Sequence, residues 1–366
     1  MIIKIQKEEF ARVVHSVSRF SERRSATLPT LAGIAVVAGA DGIHLRATNL
    51  ETGIDLVLPG TVEEEGVVVL PAAVFSQIAT SLPGNGSVTL EHRGDTATIS
   101  SGGSKSVMRT LSSDDFPVIP IPKGSENSFK LPGETIIGLF SAVAPCASTS
   151  SVRPDLGSVL LAASGGVLKA VASDSFRLAE KKTSLQGTIK PFSLLIPAKN
   201  AIDIAQVLPS GEVTVLVDEH QCAFSWDSGV ASSRLVSANY PDYEQIIPKS
   251  FAAEATVLKK DFESALKRIA VFSDAFQKMR IGFDQKGKKL MLSAKNAEVG
   301  ESDEGVAGSL TGEALELSFN HRYLASPFSS FTSDSISVSA AGIGRPLVMR
   351  GAGDAGFLYL VMPMNQ

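Results

Sequence analysis

The chain has 366 residues, of which 44% are hydrophobic, 20% charged and 6% aromatic, and this ordinary globular usage excludes collagen-like, low-complexity and disordered classes. Lys and Arg number 34 against 38 Asp and Glu, a formal charge of -4, so a uniformly basic nucleic-acid coat is excluded while a basic stripe on an acidic body is not. Cys146 and Cys222 lie far apart, with no CxxC and no His at ligand spacing, which removes disulfide frameworks and zinc sites and fits a reducing compartment. No apolar run approaches the ~18 residues of a membrane span and Met1 to Glu9 has no apolar leader core, so a soluble cytoplasmic protein is expected.

From the N-terminus, Lys7 to Arg24 reads as a helix, because Phe10, Val13, Val14, Val17 and Phe20 recur at helical spacing. Laid out at about 100° per residue, Arg12, Arg19 and Arg23 fall together on the opposite side. Gly33 to Ala38, Ile43 to Thr48 and Ile54 to Leu58 read as strands, with Asp41-Gly42 as a hairpin signal. A second helix is expected over Val74 to Leu82, then strands at Ser87 to His92, Thr96 to Ser100 and Val107 to Leu111.

These features return. Leu28-Pro29-Thr30-Leu31-Ala32-Gly33-Ile34 is answered by Arg153-Pro154-Asp155-Leu156-Gly157-Ser158-Val159, and Ala47-Thr48-Asn49 by Ala172-Ser173-Asp174. Leu70-Pro71-Ala72 matches Ile196-Pro197-Ala198, and Asp115-Phe116-Pro117 matches Asn239-Tyr240-Pro241, all at an offset of about 125 residues. Leu292 to Asn296 and Phe319-Asn320-His321 give a fainter third echo. Three blocks of about 122 residues would fill the chain. The linker-like stretches Pro120 to Gly124 and Pro248 to Ser250 put the domains at 1–121, 122–249 and 250–366. Each block reads as α+β, two helices against mostly antiparallel sheet.

The helix opening the third block, Lys259 to Phe272, sets Lys260 and Lys267 on one face and Phe262, Ala265, Leu266, Ile269 and Phe272 on the other. Its counterpart in the middle block, Glu134 to Pro145, carries no Lys or Arg, and neither does Val74 to Leu82. Arg153, Lys199 and Arg322 add scattered charge, so any positive lining is patchy.

Gly351-Ala352-Gly353-Asp354-Ala355-Gly356 spells GxGxxG, but too little chain follows it for a dinucleotide fold, and a glycine-rich hairpin is the better account. No Walker loop, HExxH or GxSxG occurs, and His15, His44, His92, His220 and His321 are scattered singly. Asp174 with Arg177 could be drawn as the catalytic pair of an enzyme, yet the repeat sets Asn49 against Asp174 and points to a shared turn. A scaffold that binds peptides but no DNA is a further alternative. Nothing argues for turnover, a metal or a cofactor.

Four segments together carry a resemblance: Val152 to Leu160, Ala172-Ser173-Asp174-Ser175-Phe176-Arg177-Leu178-Ala179, Asn239-Tyr240-Pro241-Asp242-Tyr243 through Pro248, and the ending Tyr359-Leu360-Val361-Met362-Pro363-Met364. The whole chain resembles the bacterial DNA polymerase III beta subunit, the sliding-clamp family. The resemblance implies a DNA clamp fold of three similar domains, doubled head to tail into a homodimeric, pseudo-six-fold ring around duplex DNA, with helices inside and sheets outside. It implies a processivity factor without a catalytic centre or cofactor, acting in DNA replication. A ring that slides should meet phosphates and leave base edges unread. Arg12, Arg19, Arg23, Arg24, Arg153, Lys199, Lys260 and Lys267 are then expected to face DNA.

The family's partner site is a hydrophobic pocket for short linear peptides of the polymerase catalytic subunit, the clamp loader and repair proteins. By resemblance it falls on Leu156, Ser173, Phe176, Arg177, Leu178, Pro241, Ile246, Asn320, Tyr323, Pro346, Leu360, Met362, Pro363 and Met364. Adaptable methionines suit several partners. Phe176 and Gln245 depart from the family's usual small polar ring and basic residue, and Asn365-Gln366 from its basic-aliphatic ending. Ring closure is expected to join Ser106, Val107 and Met108 of one chain to Val271 and Phe272 of the other.

Overall fold

A computed structural model describes residues 1–22, 28–84, 86–119, 121–122, 128–185 and 189–364. Its first third runs β1 (Ile2–Gln6), α1 (Lys7–Ser18), β2 (Gly33–Gly39), β3 (Gly42–Thr48), β4 (Thr52–Leu58), β5 (Gly60–Glu64) and β6 (Gly66–Pro71). There follow α2 (Ala72–Ser81), β7 (Ser87–Arg93), β8 (Thr96–Ser101) and β9 (Ser104–Arg109). The middle third has β10 (Ser128–Pro132), α3 (Gly133–Val143), β11 (Ser158–Ser164), β12 (Val167–Ser173), β13 (Arg177–Ser184) and β14 (Phe192–Pro197). It closes with α4 (Ala198–Ala205), β15 (Glu212–Val217), β16 (Gln221–Trp226) and β17 (Gly229–Arg234). The last third has β18 (Ala253–Leu258), α5 (Lys259–Ala270), β19 (Lys278–Asp284), β20 (Lys289–Asn296), β21 (Gly300–Gly312) and β22 (Glu316–Asn320). It ends with α6 (His321–Ala325), β23 (Ser335–Ala340), β24 (Leu347–Gly351) and β25 (Phe357–Val361).

The order strand, helix, strands, helix, three strands thus occurs three times. One apparent exception explains itself. The long strand β21 pairs with β20 through its first part and with β18 through Gly308 to Gly312, doing alone what β4 and β5 do separately against β3 and β1.

The expected helices form where the apolar spacing put them, with shifted ends. Phe10, Val13, Val14 and Val17 of α1 and Phe262, Ala265, Leu266 and Ile269 of α5 are buried. Helix α1 stops at Ser18 because Arg19, Phe20 and Ser21 bond three residues back, tightening the last turn, after which Glu22 N–H turns to Leu31 O. The rest of the expected helix, with Arg23 and Arg24, lies outside the described residues. Helix α2 begins at Ala72, directly after its cap Pro71, and so starts earlier than the pattern suggested. Strand β9 also starts early, since Gly102 and Gly103 at φ +54° and +85° make a two-residue hairpin turn. The GxGxxG letters lie in the loop joining β24 to β25, where Asp354 Oδ1 accepts from Gly356 N–H at 2.7 Å.

By internal packing the chain divides into two compact units, residues 1–137 with 200–235, and 138–199 with 236–366. The first holds a five-stranded sheet, β5-β1-β7-β8-β9, and an eight-stranded sheet, β10-β15-β16-β17-β4-β3-β2-β6. Phe10 of α1 meets Phe75 of α2 edge to face, with ring centroids 5.5 Å apart. Phe75 is fully buried, so Phe75→Ala should lower stability by about 3–5 kcal/mol, measured as urea unfolding by circular dichroism. Trp226 ends β16, its Nε1–H donating to Ser228 Oγ at 3.0 Å. A Cβ at Gly229 would lie 2.4 Å from Leu56 Cδ2 and 3.1 Å from the Trp226 ring, so glycine permits this close seam.

The second unit is built on a twelve-stranded sheet, β14-β11-β12-β13-β25-β24-β23-β18-β21-β20-β19-β22. Leu160, Val171, Leu178, Leu195, Tyr243, Val348, Leu358 and Leu360 cluster on it. The segment carrying Val236, Tyr240, Ile247 and Phe251 packs over that cluster as a strap. Each unit contains one seam between thirds. In the first, β17 pairs with β4 from Gly229↔Leu56 to Ser233↔Thr52; in the second, β25 pairs with β13 from Phe357↔Lys181 to Val361↔Arg177.

Candidate functional site

The seam of β13 with β25 brings many of the residues expected to line the pocket near one another. The turn before β13 is set by Ser173 and Asp174: Ser173 Oγ donates to Arg177 O at 2.9 Å, and Asp174 Oδ1 accepts from the backbone N–H of Phe176 and Arg177. Asp174 Oδ2 accepts from Arg177 Nε at 3.0 Å. Its carboxylate is therefore spent on the turn, as the repeat with Asn49 suggested. Ser175 sits at φ +76°, which turns Phe176 outward, 59% exposed.

Arg177 ties the walls together. Its Nη1 donates to Ser326 Oγ at 2.9 Å, its Nη2 to Pro145 O at 2.8 Å, and its guanidinium lies 4.8 Å from the centre of the Tyr323 ring. Phe176 stacks on the same ring at 6.3 Å. Tyr323 is held by its own backbone, whose carbonyl accepts from the Tyr359 hydroxyl at 2.7 Å. The C-terminal segment closes the wall, Met362 N–H donating to Phe176 O and Met364 N–H to Ser318 O, each at 2.8 Å. Asn320 caps α6 by accepting from Arg322 N–H.

Leu178 and Leu360 are buried neighbours across the seam, with Met362 packed on their cluster. Leu156 is buried, while Ile246 and Pro241 are exposed on the strap around Tyr243. Pro346 precedes Leu347, which pairs with Val361, so it stands at the level of Met362, and Pro363 lies between the two methionines. The strap is fastened by Tyr243, whose buried hydroxyl donates to Glu180 Oε2 at 2.5 Å; burial, then this bond, raise its pKa. Beneath lies Cys146, whose thiol burial pushes up to about 12. The result is a surface of aromatic and thioether side chains, of a kind suited to apolar anchors.

Arg23 and Arg24 lie outside the described residues, and three of the other six cations expected to face DNA are paired with carboxylates. Arg12 meets Glu9 at 2.5 Å and Lys267 meets Glu263 at 2.7 Å, both along their own helices. Arg153 grips Asp155 through two bonds of 3.0 and 2.6 Å, which lower the Asp155 pKa. Arg19 Nη2 lies 3.2 Å from His15 Nε2. Lys199 and Lys260 are exposed on α4 and α5. Among the described residues no cluster of three or more metal-ligating side chains occurs, and no helix is long and apolar enough to cross a membrane.

Strand β9, with Ser106, Val107 and Met108, is the edge of its sheet, and Val107 is 61% exposed. Val271 is likewise exposed at the end of α5, with Phe272 half-buried beside it. Sequence reasoning missed Phe276 and Val299, which are 73% and 56% exposed at the same end of that domain. They sit in turns, where no periodicity marks them. It also missed the acidic run Glu301, Asp303 and Glu304 on β21, and the Arg177 partners Ser326 and Pro145.

Three family models together match almost the whole chain: DNA polymerase III beta subunit, N-terminal domain over 1–120, central domain over 130–242 and C-terminal domain over 244–365. The chain is 30% identical over 92% of its length to the beta sliding clamp of Synechococcus elongatus, of which it covers 92%. It is 27% identical to that of Bacillus subtilis over 100% of both chains. A DnaN sliding clamp from Pseudomonas aeruginosa bound to griselimycin superposes with a TM-score of 0.91 at 25% identity, over 100% of both chains. The Bacillus subtilis sliding clamp gives 0.90 at 26%, covering 100% of this chain and 99% of that one.

Proposed function

The chain belongs to the DNA polymerase III beta subunit family and is a replicative sliding clamp, and from that premise we propose how its own residues do the work. It closes head to tail with a second copy into a ring around duplex DNA, its three domains spanning 1–121, 122–249 and 250–366. It tethers the polymerase catalytic subunit, the clamp loader and repair proteins by short linear peptides at the Phe176, Tyr323 and Met362 pocket. It is a cytoplasmic processivity factor that catalyses nothing itself, and the two unpaired, buried cysteines suit that compartment.

One observation carries the ring. Two seams inside the chain use the same strand positions, β17 against β4 and β25 against β13. The third member of each class has one side unpaired: β9 is a sheet edge, and β21 pairs only with β20 over Gly300 to Ala307 before joining β18. A surface with one edge of each kind joins copies heterologously, closing into a ring when the rotation fits. Carried over from the internal seams, the register sets Ser104 to Met108 against Glu304 to Gly300 of the partner subunit. Lys105 then faces the partner's Asp303, Arg109 is diagonal to the partner's Glu301, and Val107 approaches the partner's Val299. The edges are complementary in charge, since β9 carries Lys105 and Arg109 and no acid, while β21 carries three acids and no base. Val271, Phe272 and Phe276 cover the same contact.

Duplex DNA is held loosely. Arg12, Arg19, Arg23, Arg24, Arg153, Lys199, Lys260 and Lys267 face phosphates, and those already paired with carboxylates exchange one partner for another at small net gain. Closure then supplies processivity. The loaded clamp should stay on a nicked circular plasmid through gel filtration and leave within minutes of linearisation. Retention on the linear form would refute encirclement.

A further inference from the structure

The turn Thr48 to Thr52 repeats, bond for bond, the turn Ser173 to Arg177 that borders the pocket. Thr48 Oγ1 donates to Thr52 O at 2.8 Å and accepts from Leu50 N–H at 3.1 Å; Ser173 Oγ donates to Arg177 O at 2.9 Å and accepts from Ser175 N–H at 3.2 Å. Asn49 Oδ1 accepts from Glu51 and Thr52 N–H at 3.0 and 2.8 Å, as Asp174 Oδ1 does from Phe176 and Arg177 at 3.0 and 2.9 Å. Leu50 and Ser175 take the same left-handed conformation, φ +72° and +76°. Arg234 N–H donates to Glu51 O at 2.8 Å, and Met362 N–H donates to Phe176 O at 2.8 Å. Finally Asn200, third residue of α4, donates to Glu51 O at 3.3 Å, while Tyr323, third residue of α6, stacks on Phe176.

Each unit therefore carries the same seat on the same frame, with different side chains. Phe176, Tyr323 and Met362 correspond to Glu51, Asn200 and Arg234, and the floor residues Leu178 and Leu360 correspond to Gly53 and Ser232. An apolar anchor entering the first seat would find the Gly53 floor already covered by the chain's own Ile119, whose Cγ2 would stand 2.7 Å from a Cβ at Gly53, and would strip water from a carboxylate and a guanidinium, both exposed. The buried Asn200 amide, already bonded to Ser233 Oγ at 2.9 Å, offers it nothing in return. We infer that Ile119, Glu51, Asn200 and Arg234 close the first seat to partner peptides, while the seat of Phe176, Tyr323 and Met362, the pocket assigned above, stays open. The inference rests on the pocket assignment made above.

Griselimycin, bound by the Pseudomonas aeruginosa relative, serves as the probe for calorimetry and hydrogen exchange on the full-length protein. The expected result is one molecule per chain, with protection at 173–178 and 360–364 and none at 48–53 or 232–234. Two per chain, or protection at 48–53, would overturn the inference. Absence of protection at 173–178 would instead defeat the pocket assignment itself. Ile119→Ala combined with the exposed changes Glu51→Phe and Arg234→Met, with unfolding temperature unchanged, should add a second equivalent about tenfold weaker, with new protection at 48–53. A stoichiometry still at one would mean that these positions are not the barrier.

Discussion

Lys105→Glu combined with Arg109→Glu is expected to convert the ring into separate protomers, raising the dimer dissociation constant about 100-fold, or ~3 kcal/mol. In the proposed register the two substitutions place carboxylates opposite Asp303 and diagonal to Glu301 of the partner subunit, where like charges at close range repel and the lost attraction adds to the cost. Both side chains are exposed in the single chain, so folding should be untouched. Sedimentation velocity reads the result. The reciprocal change, Asp303→Lys with Glu301→Lys in the same molecule, should restore the dimer. Failure to restore would show that the proposed register is wrong even if the edge is right. The unsubstituted dimer should also weaken with added salt, since these pairs are solvent-facing and screened.

The second large effect concerns the pocket. Met362→Ala with Met364→Ala should weaken a peptide from the cognate polymerase catalytic subunit about 30-fold, or ~2 kcal/mol, through lost apolar contact. The backbone bonds of these two residues to Phe176 and Ser318 remain, so the C-terminal segment keeps its path and sedimentation should still report a dimer. Fluorescence titration measures the affinity. An unchanged value would remove the methionines from the pocket.

The turns show how much was legible beforehand. Ala47-Thr48-Asn49 and Ala172-Ser173-Asp174 looked alike because Ser or Thr followed by Asn or Asp fixes a specific hydrogen-bonded turn, a local property written in adjacent residues. The helices α1 and α5 were legible for the same reason. What joins distant segments was not. Nothing near Arg177 in sequence announces Ser326 or Pro145, and no periodicity tells β17 to continue β4. The GxGxxG letters were legible as a hairpin because too little chain follows them for a dinucleotide fold, and they join the antiparallel strands β24 and β25. For the residues of α1 and α5 expected to face DNA, spacing predicted which of them share a helix face. It could not reveal that Arg12 and Lys267 are already engaged by Glu9 and Glu263.

The position of Trp226 has a practical consequence. It is the only tryptophan in the chain and lies at the β4–β17 seam of the first unit, against Gly229. Its ultraviolet emission is therefore an intrinsic optical label for that seam alone. Unfolding that begins around β13 and β25 would stay dark to it, and a lag between its spectral shift and the loss of ellipticity would time the order in which the two units come apart.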